Sequence, residues 1–361
     1  MHLEFLLTAL EQANLGRGFC APNPPVGAVA VQKNTVLAKD WHRGAGTPHA
    51  ERLIFEKLPA ALDDITLYVT LEPCNHWGRT PPCVDAIIKY GVQRVVYAYR
   101  DPNPVVQAND TPARLREQGI EVIHFPVPQI DTFYQSYRHW TKTGKPWVTA
   151  KIAQSFDGKI AGEYCKRLNL SNDSCALFTH QQRKQTDIIL TTASTVNYDN
   201  PTLNARLPEG VFSKPIAILD RNLRLNLDAN VLKQDKPRHI FYDQEFAAPQ
   251  NYSNVMFHAV PTDAKGLNLD SIIACLGALG YHDVWVEAGG RLFSALHQAQ
   301  LVNQTYIYLT PHVVGPSGIP GYHVSDLFKK PHTINWHPMG NNMIVSLLWD
   351  KATEESACSP A

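Results

Sequence analysis

The stretch Thr70-Leu-Glu-Pro-Cys-Asn-His-Trp-Gly-Arg-Thr-Pro-Pro-Cys83 is the most informative part of this 361-residue chain. The apolar run Ile65–Leu71 leads into it and predicts a buried strand. Pro82-Cys83 begins a predicted helix that ends at Gly91, because proline suits the first helical turn and glycine suits the end. Strands and helices alternate on both sides of the stretch, which indicates an α/β domain with covered sheet faces.

Two cysteines of this stretch, Cys74 and Cys83, form a metal-ligand pattern with the earlier motif His49-Ala50-Glu51. One histidine and two cysteines suit a catalytic zinc ion, which keeps its fourth position open for water. His49 and Cys83 both lie where predicted helices begin, and a helix N-terminus favours a thiolate. The pattern therefore predicts one zinc ion (Zn2+) per chain on His49, Cys74 and Cys83. Glu51 is predicted to be the catalytic acid and base, since it is near enough to move a proton without binding the metal.

The Thr70–Cys83 stretch resembles the bifunctional deaminase/reductase family of riboflavin biosynthesis, whose two cysteines embrace a Gly-Arg-Thr-Pro-Pro loop. Pro22-Asn23-Pro24 and Asp101-Pro-Asn-Pro104 match the same family. The resemblance implies an α/β chain with a cytidine-deaminase-like N-terminal domain and a dihydrofolate-reductase-like C-terminal domain that uses NADPH. It also implies that four residues contact the pyrimidine or line the deaminase pocket: Asn23, His42, His76 and Arg79.

The C-terminal half contains Val284-Trp-Val-Glu-Ala-Gly-Gly-Arg-Leu-Phe293, an apolar strand that runs through two glycines into a helix. Such a turn can hold a phosphate on backbone amides, but the pattern by itself favours a plain tight turn between strand and helix. Two further segments, Lys151–Lys159 and Ala193–Arg206, resemble the family's reductase domain. The resemblance implies that Lys151, Arg183, Leu203, Arg206 and Glu287 bind the sugar phosphate of the substrate. It implies that the cofactor is bound by Ala153, Asn169, Thr195, Asp199, Gly289, Gly290, Arg291, Leu292, Phe293, Ser294 and Ala295.

Two positions depart from the family pattern. Ala108-Asn109-Asp110 stands where the family usually has Gly-x-Gly, which puts glycine-dependent backbone geometry there in question. Asn169 stands where the family often has a tryptophan that would contact the cofactor.

Composition sets the outer limits of the interpretation. The chain carries 33 basic and 33 acidic side chains, and a nucleic-acid binder usually has a basic excess. No apolar run approaches the ~20 residues of a membrane span. Its 7 cysteines are an odd number at irregular spacing, which favours reduced thiols and a cytoplasmic location. The expected partner is therefore a small molecule, neither nucleic acid nor membrane, and a homo-oligomer is compatible with the sequence.

The pattern of elements predicts two domains, 1–145 and 146–361, with the boundary in the proline-containing segment 126–146. Strands are predicted at 26–31, 65–71, 94–99, 120–125, 147–153, 187–192, 215–220, 238–243, 283–288, 304–310 and 343–348. Helices are predicted at 3–13, from 48, at 83–91, 112–118, 173–185, 270–279 and 291–299.

These observations predict a bifunctional enzyme that deaminates a diaminopyrimidinone ribosylamine phosphate and then reduces its ribosyl group with NADPH. Three alternatives stay open at this point. The reductase half could be degenerate, leaving a deaminase only. The chain could be a nucleoside or tRNA deaminase with a non-catalytic C-terminal domain, or a structural zinc module.

Overall fold

The computed structural model describes residues 1–59, 62–78, 80–163, 168–247, 254–323, 327 and 331–349. The chain forms two compact units. The first unit contains Met1–Pro146 and Leu276–His282, and the second contains Trp147–Cys275 and Asp283–Ala361. Within the described ranges, no helix combines the length and apolar character that crossing a membrane requires.

The first unit is built on one five-stranded sheet with the strand order β2-β1-β3-β4-β5. Strand β1 runs antiparallel to both of its neighbours, whereas β3, β4 and β5 are parallel. The strands are β1 (Gly27–Gln32), β2 (Thr35–Trp41), β3 (Ile65–Leu71), β4 (Arg94–Tyr99) and β5 (Glu121–His124). The helices are α1 (His2–Gly16), α2 (Ala50–Lys57), α3 (Cys83–Tyr90), α4 (Pro104–Gln107), α5 (Thr111–Glu117), α6 (Pro128–Phe133) and α7 (Gln135–Thr143).

Both faces of this sheet are covered by helices. Successive residues of β1 alternate between faces, so Val29 packs with Leu6 of α1 while Ala28 packs with Ile54 of α2. The two resulting apolar clusters place α1, α6 and α7 on one face and α2, α3 and α5 on the other. This arrangement confirms the predicted α/β class.

Residues 126–146, which the sequence predicts to be a boundary segment, carry the two helices α6 and α7. Pro128 occupies the first turn of α6 and Gly144 ends α7 in a left-handed conformation, so these residues limit helices here. Tyr134 and Tyr137 are buried in the core of the first unit, and the Tyr134 ring stacks on Tyr99. The tyrosines of segment 126–146 therefore belong to the core of the first unit, and the segment is not a linker.

The second unit contains a nine-stranded sheet in the order β13-β12-β11-β8-β16-β6-β17-β20-β19. Its strands are β6 (Trp147–Ser155), β8 (Ile188–Thr192), β11 (Ile216–Leu219), β12 (Arg238–Asp243), β13 (Val255–Val260), β16 (Asp283–Glu287), β17 (Gln304–Thr310), β19 (His332–Met339) and β20 (Asn342–Trp349). Shorter pairs are β7 (Lys159–Ala161) with β18 (Ile319–Pro320), β9 (Ala205–Leu207) with β10 (Gly210–Phe212), and β14 (Thr262–Asp263) with β15 (Gly266–Leu267). The helices are α8 (Asp173–Gln185), α9 (Ala193–Asp199), α11 (Gly290–Gln298) and a short 3-10 helix over Asn230–Lys233, together with α10 (Leu269–Ala278) up to Cys275.

Neighbouring strands from β13 to β17 are parallel, and β20 and β19 complete the sheet in antiparallel fashion. The carboxyl ends of β6, β8 and β16 therefore meet at one edge, which is where α/β sheets bind ligands. The sequence patterns missed β19 because most of its residues are exposed at the edge of the sheet and form no apolar run.

Candidate active sites

The first unit brings His49, Cys74 and Cys83 together. His49 is the N-cap of α2, Cys83 is the first residue of α3, and Cys74 lies in the loop after β3. The Nδ1 atom of His49 lies 3.1 Å from the Cys83 sulfur and 3.6 Å from the Cys74 sulfur. All three candidate ligand atoms lie within 4.8 Å of one another.

The electrostatics of this cluster suit a cation. The Cys74 sulfur accepts a hydrogen bond from the backbone N–H of Cys83 at 3.3 Å. Hydrogen bonding from the Cys83 thiol, together with the His49 ring, lowers the pKa of Cys74 to about 4. The same hydrogen bond and burial raise the pKa of Cys83, so the proton of this pair stays on Cys83, and the helix N-terminus does not by itself make Cys83 a thiolate. Within the described part of the chain, no fourth histidine, cysteine or carboxylate joins the group. Three nitrogen and sulfur donors without a fourth such ligand among the described residues fit a catalytic zinc ion rather than a closed structural one.

Glu51 lies in the first turn of α2, and only 3% of its surface is exposed. Burial raises the pKa of its carboxyl group, and the Oε2 atom has no hydrogen-bond partner. A buried acceptor without a partner is costly, so its presence points to a group that the site is built to receive. This carboxylate beside the cluster can accept a proton and return it.

Asn23 and His42 form a connected pair. The His42 ring donates from Nδ1 to the Pro48 carbonyl oxygen at 3.2 Å and accepts at Nε2 from the Asn23 amide at 3.0 Å. These roles require a neutral ring, and burial lowers the pKa of His42 to about 4. The His42 ring also contacts the His49 ring edge-to-face, with the centroids 4.9 Å apart. Asn23 is thus held near the candidate metal centre, with its amide nitrogen bonded to His42.

The loop between Cys74 and Cys83 contributes His76, whose Nδ1 atom is buried and has no hydrogen-bond partner. Thr80 of the same loop places its hydroxyl oxygen 3.4 Å from Nε2 of His49. Arg79 lies outside the described residues. The pocket roles of Asn23, His42, His76 and Arg79 stay predictions.

The departure at Ala108-Asn109-Asp110 is accommodated without glycine. Ala108 and Asp110 have φ angles of −68° and −62°, which any residue can adopt. Asp110 caps α5 by accepting a hydrogen bond from the backbone N–H of Ala113 at 2.9 Å. Asn109 donates from its side chain to the carbonyl oxygen of Val105 in α4. These polar residues therefore cap helix ends where the family pattern has glycine.

The second unit has a charged centre at the carboxyl end of β16. Arg183 of α8 forms a bidentate ion pair with Glu287, with N–O distances of 2.6 Å and 2.8 Å. Trp285 donates its indole N–H to the same carboxylate at 2.8 Å. Burial alone would raise the pKa of Glu287, but Arg183 and the nearby Lys151 lower it to about 2. Glu287 is therefore an anion held in one orientation.

Lys151 on β6 belongs to this charged centre. Its ammonium group lies over the Tyr308 ring, 4.9 Å from the centroid. Burial lowers the pKa of Lys151, while Glu287 raises it. A buried cation beside a fixed anion is suited to interact with a polar substrate.

Arg206 and Leu203 flank this centre. The Nη1 group of Arg206 donates to the Asn204 side-chain oxygen at 2.7 Å and to the Thr202 hydroxyl at 3.3 Å. The Asn204 carbonyl oxygen in turn accepts from Arg183 at 3.1 Å. Leu203 is buried with a φ angle of +50°, a rare conformation for a bulky residue. Strained backbone of this kind is common at ligand sites, where neighbouring contacts hold it in place.

The two glycines after β16 have different surroundings. A Cβ atom at Gly289, the N-cap of α11, would meet nothing within 4 Å. A Cβ atom at Gly290 would collide with the carbonyl oxygen of Gly321. The open space at Gly289 and the amides of the α11 N-terminus together fit a phosphate-bearing cofactor. Leu292, Phe293 and Ser294 are buried in α11, and the Ser294 hydroxyl accepts from the His323 backbone N–H at 3.0 Å.

The remaining predicted cofactor residues lie on several elements of the second unit. Ala153 is half-buried near the end of β6, and Thr195 lies in the first turn of α9, where its backbone N–H donates to the Thr192 hydroxyl at 3.2 Å. Asp199 and Asn169 are exposed. Arg291 is exposed and Ala295 half-buried on α11. Their cofactor roles, like those of the substrate residues, stay predictions.

Several residues of these centres were not predicted. Trp285, Asn204 and Tyr308 complete the charged centre of the second unit, as described above. Trp285 and Asn204 lie inside stretches that carried the family resemblance. Their position inside these stretches could have identified them as site residues, whereas no sequence pattern pointed to Tyr308.

Two family models cover most of the chain. The zinc-binding region of cytidine and deoxycytidylate deaminases matches residues 1–99. The RibD C-terminal domain matches residues 146–341, which is more than half of the chain. The chain belongs to the RibD family. Its first match supports zinc as the metal of the His49 cluster, and its second indicates a reductase domain for which a nicotinamide cofactor is suggested.

Full-length RibD proteins agree with this assignment. The chain is 34% identical to riboflavin biosynthesis protein RibD of Chlamydia muridarum, covering 88% of this chain and 87% of the relative. It is 34% identical to RibD of Escherichia coli K12, with 86% and 88% covered. A Thermotoga maritima structure is similar at 30% identity, with a TM-score of 0.84 and 97% and 99% of the chains covered. That structure is described as a diaminohydroxyphosphoribosylaminopyrimidine deaminase/5-amino-6-(5-phosphoribosylamino)uracil reductase.

Proposed function

We propose that the chain is a bifunctional enzyme of riboflavin biosynthesis. Its first unit would hydrolyse the 2-amino group of 2,5-diamino-6-(5-phosphoribosylamino)pyrimidin-4-one and release ammonia. Its second unit would use NADPH to reduce the ribosyl side chain of 5-amino-6-(5-phosphoribosylamino)uracil to ribityl. The observation that carries the proposal is the cluster of His49, Cys74 and Cys83 within 4.8 Å, beside a buried glutamate.

The first half-reaction needs a nucleophilic water and a proton carrier. A zinc ion on the three donors would act as a Lewis acid and make water a better nucleophile at neutral pH. Glu51 would accept the first proton of the attacking water and deliver it to a ring nitrogen. It would then take the proton of the newly added hydroxyl group and deliver it to the amino group, which leaves as ammonia. Asn23, oriented by the neutral His42, presents its side-chain oxygen to the N–H groups of the pyrimidine.

The second half-reaction depends on orientation and charge. NADPH, when bound, would supply the hydride for C1 of the ring-opened ribosyl group. The open space at Gly289 and the N-terminus of α11 would hold the phosphates of the cofactor. Arg206, fixed by Asn204 and Thr202, binds the substrate phosphate with its remaining N–H groups. Lys151 and Glu287 would face the sugar phosphate and provide fixed charges that orient it.

The finer features of the proposal are one zinc ion per chain, NADPH as the reductant and a cytoplasmic location. A structural zinc module is disfavoured because the described residues supply only three ligands. A tRNA substrate is disfavoured by the balanced charge of 33 basic and 33 acidic residues. The RibD C-terminal match disfavours an unrelated C-terminal domain, and a homo-oligomer stays a prediction.

The proposal is tested by incubating the purified chain with the diaminopyrimidinone substrate, with and without NADPH. We expect ammonia release in both reactions and the ribityl product only with NADPH. Treatment with a chelator should stop ammonia release, and added zinc should restore it. Ammonia release that survives complete removal of the metal would overturn the deaminase mechanism.

A further inference from the structure

A chain of hydrogen bonds in the first unit joins three distant segments of the sequence. The Gly27 backbone N–H donates to the Thr70 hydroxyl at 3.1 Å, and the Tyr134 hydroxyl donates to the Pro25 carbonyl oxygen at 2.9 Å. The two hydroxyl oxygens of Thr70 and Tyr134 lie 2.7 Å apart. Because the single Tyr134 proton is used on Pro25, Thr70 is the donor between them. The direction therefore runs from Gly27 through Thr70 and Tyr134 to Pro25.

This series of hydrogen bonds connects the two sides of the candidate deaminase site. Pro25 and Gly27 follow Asn23 closely, and the Val26 carbonyl oxygen between them accepts from the His42 backbone N–H at 2.9 Å. On the other side, Thr70 lies near the end of β3, shortly before Cys74. Tyr134, at the junction of α6 and α7, thus contacts both the loop that carries Asn23 and the strand that leads to the metal cluster.

The hydrogen-bonded groups are shielded from solvent. Thr70 and Tyr134 are 0% and 1% exposed, and the Tyr134 ring stacks on Tyr99 with the centroids 5.0 Å apart. A buried carbonyl or hydroxyl that loses its partner here cannot be satisfied by bulk water, so the backbone of the Asn23 loop would shift to recover a hydrogen bond.

We propose that Tyr134 is a positioning residue for deamination. Through its hydroxyl group, it fixes the loop that carries Asn23 relative to the loop that carries Cys74. The inference rests on the proposed function, and it extends the deaminase machinery beyond the matched residues 1–99 into α6 and α7. Tyr134 itself binds neither the metal nor the pyrimidine in this account.

The first test is Tyr134→Phe, which keeps the ring and removes the hydroxyl group. We expect kcat/KM for deamination to fall about tenfold, mainly through a higher KM, with zinc content and the reductase rate unchanged. Tyr68→Phe is the matched control. Tyr68 is buried and lies on β3, as Thr70 does, but its hydroxyl group bonds the His2 ring at 2.9 Å and takes no part in the series from Gly27 to Pro25. Its deamination constants should equal those of the wild type.

A second pair of variants tests the other end of the same chain. Thr70→Val keeps the shape and removes the hydroxyl group, and it should reproduce the rise in KM. Thr70→Ser keeps the hydroxyl group and should retain most of the wild-type kcat/KM. The double variant of Tyr134→Phe and Thr70→Val should have a kcat/KM little lower than that of either single variant, because both substitutions interrupt the same series of hydrogen bonds.

The outcomes separate this inference from the proposed function. An inactive, zinc-loaded wild type would refute the proposed deaminase activity. An active wild type in which Tyr134→Phe and Thr70→Val both behave like Tyr68→Phe would overturn the positioning role. If Tyr134→Phe does not fold, the Thr70 variants decide. Equal KM values for Thr70→Val and Thr70→Ser would then overturn the positioning role.

Discussion

The two units of the chain assemble their candidate sites from the sequence in different ways. In the first unit, the metal donors come from two helix starts and one loop in a single short stretch, His49 to Cys83. In the second unit, Lys151, Arg183 and Glu287 come from β6, α8 and β16, which only the parallel sheet brings together. The comparison shows that a site built on local spacing is visible in one sequence, whereas a dispersed site depends on the fold.

The two units also differ in how their charges are held. The first site exposes donors to a metal and leaves one oxygen of Glu51 without a partner. In the second site, a bidentate ion pair and an indole N–H already satisfy Glu287. The first site thus leaves a buried acceptor unpaired beside three metal donors, whereas the second site holds its carboxylate in a complete set of partners.

The largest expected effect is on the metal. Cys83→Ser should remove most of the zinc and abolish deamination, because an alcohol is a far poorer zinc ligand than a thiolate. Cys175→Ser, which changes a buried thiol of the second unit, should retain one zinc per chain. Elemental analysis of both proteins is the measurement. Full zinc retention in both Cys74→Ser and Cys83→Ser would contradict the metal assignment.

The next largest effect is expected for Glu51→Gln, which should abolish most of the activity of the first unit and leave that of the second unchanged. The amide keeps the shape of the side chain but cannot carry a proton, so deamination should fall by about 10²–10⁴-fold. Zinc content should be unchanged, and so should NADPH oxidation on substrate that is already deaminated. Glu56→Gln, on the exposed face of the same helix, is the control. Near-normal ammonia release from Glu51→Gln would remove this residue from the mechanism.

Arg206→Ala should affect only the second unit. Loss of a hydrogen bond to a charged group costs roughly 1.5–3 kcal/mol, which corresponds to about a 10- to 150-fold rise in KM for the aminouracil. NADPH affinity should be spared. Lys184→Ala, which breaks an ion pair with the exposed Glu209, controls for removal of a nearby positive charge. Equal KM values in the two variants would argue against a phosphate contact at Arg206.

Substitutions of the two glycines after β16 should have the smallest effects, and they distinguish loss of cofactor binding from loss of stability. Gly289→Val places its side chain in open space, so the protein should fold while NADPH binding weakens by at least about tenfold. Gly290→Ala should instead lower the melting temperature, because its Cβ atom meets the Gly321 carbonyl. Fluorescence titration and thermal melting measure these outcomes. Unchanged NADPH affinity in Gly289→Val would place the cofactor elsewhere.

The sequence predicted the first site more completely than the second for a physical reason. Helix starts are local, so His49, Glu51 and Cys83 could be placed at element ends from the flanking residues alone. Tyr134 and Trp285 could not be identified in this way, because the partners of their polar tips are set by tertiary packing. The helices α6 and α7 were missed because their prolines and polar aromatic residues resemble a linker until their burial is known.

The central claim is that both units are active, and NADPH binding by the wild-type chain tests it most directly. NADPH is titrated by fluorescence, and its oxidation on the deaminated substrate is followed in parallel. The account predicts saturable binding of one NADPH per chain and one NADPH oxidised for each ribityl product formed. Active deamination with no NADPH binding at any practical concentration would contradict it, and would show that the exposed Asn169 marks a degenerate reductase.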